Sequence, residues 1–151
     1  DELGMWGADD PDCRKPLLWK NIDHQPQVFA PDGSQRKTIA VTPNKEQFNY
    51  QKKLIALRKG RLEWTRGTAQ FVGANDEKLT FSYLRILGSH RSLIAFNFSN
   101  KPRIVSLDNL AVSEFELLVE SSPDALLSGT IEGRTLRLKL APLSGVALHL
   151  N

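Results

Sequence analysis

The sequence predicts a mainly β fold: a long irregular opening, one amphipathic helix, and an antiparallel β-sandwich that takes up the rest of the chain. Three observations carry this reading. Gly, Pro, Asp and Asn punctuate the chain from Asp1 to about Pro43, a composition that favours loop and short turns. The stretch Thr42 to Gly60, TPNKEQFNYQKKLIALRKG, places apolar residues at helical spacing. Beyond about Arg66 the apolar period changes to two, the signature of half-buried strands.

The opening contains Asp10-Pro11, Lys15-Pro16, Gln25-Pro26 and Ala30-Pro31-Asp32-Gly33. A structureless loop longer than ~12–15 residues is uncommon in a compact domain and usually functional or disordered; Trp6, Leu17, Leu18, Trp19, Val28 and Phe29 favour order. The helix spans Asn44 to Gly60. Asn44 suits the N-cap, Gln47 stands three residues on as in a capping box, and Gly60 suits the C-terminal stop. Phe48, Gln51 and Ile55 fall on one line with Tyr50, Leu54 and Leu57 beside them, a stripe expected to pack on a sheet or barrel. Lys52, Lys53, Arg58 and Lys59 cover the other face and suit the helix C-terminal dipole.

In the last part, Leu79, Phe81, Tyr83, Arg85 and Leu87 alternate with Thr80, Ser82, Leu84 and Ile86, and Leu136, Leu138 and Leu140 alternate with Arg137 and Lys139. Ser92 to Ser99, Arg103 to Leu107, Phe115 to Glu120 and Gly145 to Leu150 add strands, and Glu132-Gly133 is read as a tight turn. Six to eight such strands make a sandwich of about 80 residues.

Composition narrows the function classes. At 151 residues the chain fits one ordinary domain, or a small domain plus a piece of another, and can bury roughly 68–70% of its unfolded surface. The net charge of +3 comes from scattered basic residues, without the concentrated basic face of a nucleic-acid binder. No run approaches the ~20 apolar residues of a membrane-spanning helix. One cysteine, Cys13, cannot form an internal disulfide or a cysteine-rich metal site, and the compartment stays open.

Candidate chemistry concentrates in Asp1 to Trp19. Asp9, Asp10 and Asp12 offer oxygen ligands, but the EF-hand spacing is absent and Pro11 interrupts the run, so no metal site is expected. Cys13 lacks a histidine in a related context and reads as a small buried thiol; His90 and His149 read as solvent-facing. Carboxylate, guanidinium and indole groups in one loop suit a polyhydroxylated ligand. An internal Asp10–Arg14 ion pair, with Trp6 and Trp19 as packing anchors, explains the same residues equally well.

A resemblance bears on that choice. Asp1-Glu2-Leu3-Gly4-Met5, followed by Asp10-Pro11-Asp12-Cys13-Arg14-Lys15-Pro16 and Trp19, closely resembles the segment after the eighth barrel strand in the α-amylase family, glycoside hydrolase family 13. The likeness is nearest to the cyclomaltodextrinase, neopullulanase and α-glucosidase-like branch. Tyr50 to Arg58 resembles that family's last barrel helix. The resemblance implies that residues 1–65 are the end of a (β/α)8 TIM barrel, with its last loop and helix 44–60, and that residues 66–151 are the C-terminal β-sandwich. It implies that Asp10 and Arg14 contact a sugar on the non-reducing side of the cleaved bond, with Trp6 either stacking on a ring or covering the loop, and that Glu2 is structural support.

The family's nucleophile Asp, acid/base Glu and stabilising Asp lie upstream of the matching segment, and none maps onto this chain. The expectation is therefore a C-terminal fragment, inactive alone, of a retaining hydrolase acting on α-1,4, and by extension α-1,6, glucosidic bonds. Its partner would be an α-glucan oligosaccharide. No cofactor is expected, and a calcium ion in the parent barrel falls on no residue here. Two other classes stand beside this one: a non-catalytic, transporter-associated or binding member of the same fold, and a carbohydrate-binding sandwich. Asp10 and Arg14 favour the enzyme over the first. Trp6, Trp19 and Trp64 all precede the sandwich, which weakens the second.

Overall fold

A computed structural model describes residues 3–4, 10–19 and 21–151. The chain divides into two compact units, Asp1–Ile55 and Ala56–Asn151. Strands make up 44% and helices 14% of the described residues, so the fold is mainly β.

The first unit departs from the expected plain loop. Strands β1 (Gln27–Phe29) and β2 (Gln35–Ile39) pair antiparallel, Gln27 opposite Ile39 and Phe29 opposite Gln35. The punctuation read as loop is the turn of this hairpin. Gly33 adopts φ 82°, Ala30 N–H donates to Ser34 O at 2.8 Å, and Gly33 N–H donates to Ala30 O at 2.9 Å. Asp32 Oδ1 accepts from both Ser34 N–H (2.9 Å) and Ser34 Oγ (2.6 Å), a local bond that stabilises such turns. Strands this short, carrying Gln, Arg and Lys, leave no apolar alternation to detect.

Helix α1 (Lys45–Gly60) follows. Asn44 caps it as expected, its Oδ1 accepting from Gln47 N–H at 3.0 Å. The reciprocal bond of a capping box is replaced: Asn44 N–H donates to Leu3 O at 2.9 Å, and Gln47 Oε1 instead accepts from Asn44 Nδ2 at 3.4 Å. No residue of α1 is buried. The half-buried stripe runs through Gln47, Gln51 and Leu54 with Tyr50 and Leu57 beside them, while Ile55 is 53% exposed. One residue is about 100° of rotation, which carries Ile55 to the rim of that stripe rather than its centre.

The second unit takes in the C-terminal end of α1, then the one-turn helix α2 (Leu62–Thr65) and eight strands: β3 (Thr68–Asn75), β4 (Thr80–Leu87), β5 (His90–Asn97), β6 (Arg103–Leu107), β7 (Phe115–Glu120), β8 (Leu126–Glu132), β9 (Thr135–Leu140) and β10 (Ser144–Leu150). They form a five-stranded sheet, β3-β4-β5-β10-β7, and a three-stranded sheet, β6-β9-β8, with all pairings antiparallel. The core between them joins Leu84, Leu93, Ala95, Val146, Leu148 and Leu150 of the first to Val105, Leu107, Leu136, Leu138 and Leu140 of the second. This is the predicted sandwich, with both inner faces interdigitating. In β4 the inward set is Ser82 and Leu84; the Phe81 and Tyr83 set lies on the opposite face, where Phe71, Phe81 and Tyr83 cluster with ring centroids 5.6–6.4 Å apart. Strand β3 is an addition to the sequence reading, and the turn lies at Gly133-Arg134, one residue beyond the expected place, with Glu132 paired to Thr135.

Two of the buried polar side chains, Asn97 and Glu63, are each answered by several partners, whereas Trp64 Nε1 is buried without one among the described residues. Asn97 Nδ2 donates to Lys101 O (2.8 Å) and Ala141 O (2.7 Å), and its Oδ1 accepts from Ser99 N–H (3.0 Å) and Ser99 Oγ (2.7 Å). Glu63 in α2 accepts from Ser92 Oγ at 2.7 Å and pairs with Arg61 at 3.3 Å. Burial pushes the Glu63 carboxyl up, but the bonds from Ser92, its own backbone and Arg61 outweigh it and leave the pKa below the usual value. Arg85 donates to Glu63 O and Trp64 O (3.1 and 3.3 Å), which fixes α2 on the outer face of β4. Gly67 is required there: a Cβ would stand 2.5 Å from Glu63 O and 2.6 Å from Ile86 O. His149, expected to face solvent, is half-buried with Nδ1 3.4 Å from Arg61 Nη1, because β10 is an inner strand covered on both faces.

Truncating Leu138, fully buried between the sheets, is expected to cost ~2–5 kcal/mol, whereas Ile104→Ala on the exposed side of β6 should stay within about 0.5 kcal/mol. Denaturant unfolding of the two variants checks this; equal midpoints would contradict the core assignment.

Candidate functional site

The candidate residues sit in the turn that opens the first unit. Residues 10–13 form turns, and Arg14 N–H donates to Pro11 O at 2.9 Å. This closure brings Asp10 and Arg14 together: Arg14 Nη2 donates to Asp10 Oδ2 at 3.0 Å, and Arg14 Nε pairs with Oδ1, a two-point fork. Both side chains are exposed, at 59% for Asp10 and 74% for Arg14. Trp6 and Asp9 lie outside the described residues. Cys13, expected as a buried thiol, is exposed, because the turn carrying it has no apolar layer to receive it. Trp19 is exposed as well and does not anchor the loop. Among the described residues no group of three or more His, Cys, Asp or Glu could hold a metal ion.

A second carboxylate in this turn, Asp12, which the sequence offered only as an oxygen ligand for a metal, takes a different part. Asp12 Oδ1 accepts from Lys15 Nζ at 2.7 Å, and Arg36 Nη1 donates to both its oxygens at 3.1 and 3.2 Å. Lys15 Nζ also donates to Gln27 Oε1 at 3.1 Å. One carboxylate thereby ties the turn to both strands of the β1–β2 hairpin. Asp12 is largely shielded, its side chain 16% exposed. The Lys15 hydrogen bond foremost lowers its carboxyl, burial pushes it back up, and the bond and charge of Arg36 add to the Lys15 effect, so the group stays below the ordinary aspartate range. The Asp12–Lys15 spacing is a local signal; Arg36 is twenty-four residues away in sequence and gives none.

Beside the hairpin, Pro16, Leu18, His24, Gln25, Val28, Phe29 and others line an open groove of about 410 Å³. His24 Nε2 is buried there without a hydrogen-bond partner among the described residues.

No protein-family model matches the chain. The cyclomaltodextrinase of Geobacillus thermopakistaniensis is 35% identical over 101 residues, 67% of this chain and 14% of that protein. Neopullulanase 2 of Thermoactinomyces vulgaris is 26% identical over 98% of this chain and 22% of its own length. The crystal structure of α-amylase from H. orenii superposes with a TM-score of 0.68 over 99% of this chain and 31% of that one, at 16% identity. The chain belongs to the α-amylase family. It spans about a seventh to a fifth of the curated relatives it matches. The α-amylase family sandwich is thus the fold of the second unit, as the sequence predicted.

The Asp12 tie carries a pH dependence of definite sign. A carboxyl with a depressed folded pKa contributes stability above the unfolded value and loses it as pH falls through the folded value. Asp32, also depressed, first by its Ser34 bonds, acts in the same direction. The protection factors of the β1 and β2 amides, corrected for the intrinsic exchange rate, are therefore expected to fall as pH drops below about 3.9. Asp12→Asn should reproduce part of that loss of protection at neutral pH. Unaltered exchange in the variant would contradict the tie.

Proposed function

We propose that this chain is the C-terminal part of a retaining α-glucan hydrolase that cleaves α-1,4 glucosidic bonds, with α-1,6 bonds as a secondary linkage, in maltooligosaccharides or cyclodextrins. The names of the relatives, cyclomaltodextrinase and neopullulanase, support the substrate class. The observation that carries the reading is the exposed Asp10–Arg14 fork in the turn on which the family resemblance rests. In this role the Asp10 carboxylate accepts hydrogen bonds from sugar hydroxyls. The Arg14 guanidinium donates to neighbouring hydroxyl or ring oxygens, and Trp6 offers a stacking face. Residues 1–65 would close the barrel and residues 66–151 form the sandwich beyond it.

Retaining glycoside hydrolysis needs a nucleophile and an acid/base carboxyl roughly 5–5.5 Å apart. We assign that pair, and the stabilising aspartate, to a part of the polypeptide outside this chain. The role left to these residues is to hold one glucose unit in register while the bond beside it is cut, which lowers the barrier through positioning.

In the full-length protein, Asp10→Ala or Arg14→Ala is expected to weaken transition-state binding of maltooligosaccharides by roughly 1–3 kcal/mol, as for a hydrogen bond to a charged group. Steady-state kinetics with a product-length assay measures it, and unchanged values in both variants would refute the assignment. The 151-residue chain by itself should release no glucose or maltose from maltotriose or cyclodextrin; measurable turnover would place catalytic carboxylates within it.

A further inference from the structure

The hairpin β1–β2 has no hydrophobic core of its own: Val28 and Phe29 of β1 are exposed, and its strands are three and five residues long. A two-stranded hairpin of this kind is marginal in water. Its register relative to the sugar-binding turn therefore depends on side-chain ties, and those described converge on one carboxylate. Asp12 lies two residues from Asp10 and two from Arg14. It binds Lys15 at 2.7 Å and Arg36 of β2 at 3.1 and 3.2 Å, and Lys15 reaches Gln27 of β1 at 3.1 Å. The two kinds of aspartate in this turn differ in exposure. Asp10 is open to solvent with its partner, while Asp12, Lys15 and Arg36 are mostly shielded. An exposed pair is available to a ligand; a shielded one holds geometry.

We propose that Asp12 is a positioning residue for the Asp10–Arg14 fork, and that through Lys15 and Arg36 it fixes the β1–β2 hairpin as one wall of the α-glucan subsite. The proposal rests on the reading of Asp10 and Arg14 as sugar contacts. Loss of the Asp12 charge removes the carboxylate that joins Lys15 to Arg36 of β2 and lets the turn and the hairpin move apart. The fork then keeps its residues and loses its fixed orientation. The effect falls on oligosaccharides long enough to reach this subsite, and the bond-breaking groups stay intact.

The test uses the full-length protein with Asp12→Asn, Arg36→Gln and Arg36→Lys, alongside Asp10→Ala. Asp12→Asn and Arg36→Gln are expected to raise KM for maltoheptaose about tenfold, the scale of a modest misplacement of a positioning group, with kcat changed less than about twofold. Arg36→Lys, which keeps the cation, should return KM to near the wild-type value, and the thermal midpoint should not track KM across the set. KM unchanged in Asp12→Asn and Arg36→Gln while Asp10→Ala raises it would overturn the positioning role and leave the fork assignment standing. A loss of kcat that follows the thermal midpoint and is not rescued by Arg36→Lys would reduce Asp12 to a fold determinant and also overturn it. Unchanged KM in Asp10→Ala would overturn the fork itself and the inference with it.

Discussion

The Asp12 carboxylate is the constraint on which the first unit depends. Leu18 is the sole buried apolar side chain described between Leu3 and Ile55, whereas Leu17, Trp19, Ile22, Val28, Phe29 and Ile55 are exposed. Apolar burial, ordinarily the dominant favourable term, is nearly absent here. Order comes instead from specific polar ties: Asp12 to Lys15 and Arg36, Asp32 to Ser34, and Asn44 to Leu3 and Gln47. Such ties are directional, so they set geometry more than they add stability. A half-shielded ion pair loses hydration and regains most of it through Coulomb attraction; what remains is a defined placement of turn and hairpin.

The second unit works by the opposite means. Strand β10 pairs with β5 and β7 at once, and six of its seven residues are buried, so its backbone and both faces are all used. Leu136, Leu138 and Leu140 of β9 fill the same role in the smaller sheet. Among the buried polar residues, Asn97 and Glu63 each have several partners, as a buried polar group must if it is not to cost stability. A rigid sandwich and a polar, loop-rich unit in one chain match the usual division in which a packed core supplies stiffness and loops carry the binding groups.

What the sequence made legible follows from how local each signal is. The strands Arg103–Leu107 and Phe115–Glu120 and the Asn44 cap were readable because alternation and capping are properties of adjacent residues. The hairpin was not, since Gln35, Arg36 and Lys37 show no apolar alternation and the partner that orders them, Asp12, lies on a distant turn. The Asp10–Arg14 pair was visible from its spacing, but its exposure was not, because burial depends on what packs nearby. Cys13 and His149 failed for the same reason in opposite directions: one sits on a turn without an apolar layer, the other on an inner strand. Family resemblance supplied what local chemistry left open, a preference for sugar contact over a purely internal ion pair.

That preference is also consistent with the energetics of the pair. An exposed ion pair contributes about 0–1 kcal/mol to stability, so the fold gains little from joining Asp10 to Arg14 at the surface. The same weakness suits the proposed role. A sugar hydroxyl donating to the carboxylate, or accepting from the guanidinium, competes with a contact that is already screened by water, and the two side chains yield to it at small cost. In that proposed role the pairing would hold both side chains in place before a ligand arrives and so limit the rotamer entropy lost on binding. Were the pair buried like Asp12 and its cations, it would be a better structural tie and a poorer binding site. Among the described residues the turn carries two carboxylates of different kind, two residues apart: Asp12 shielded and bonded to both Lys15 and Arg36, Asp10 exposed and paired with Arg14.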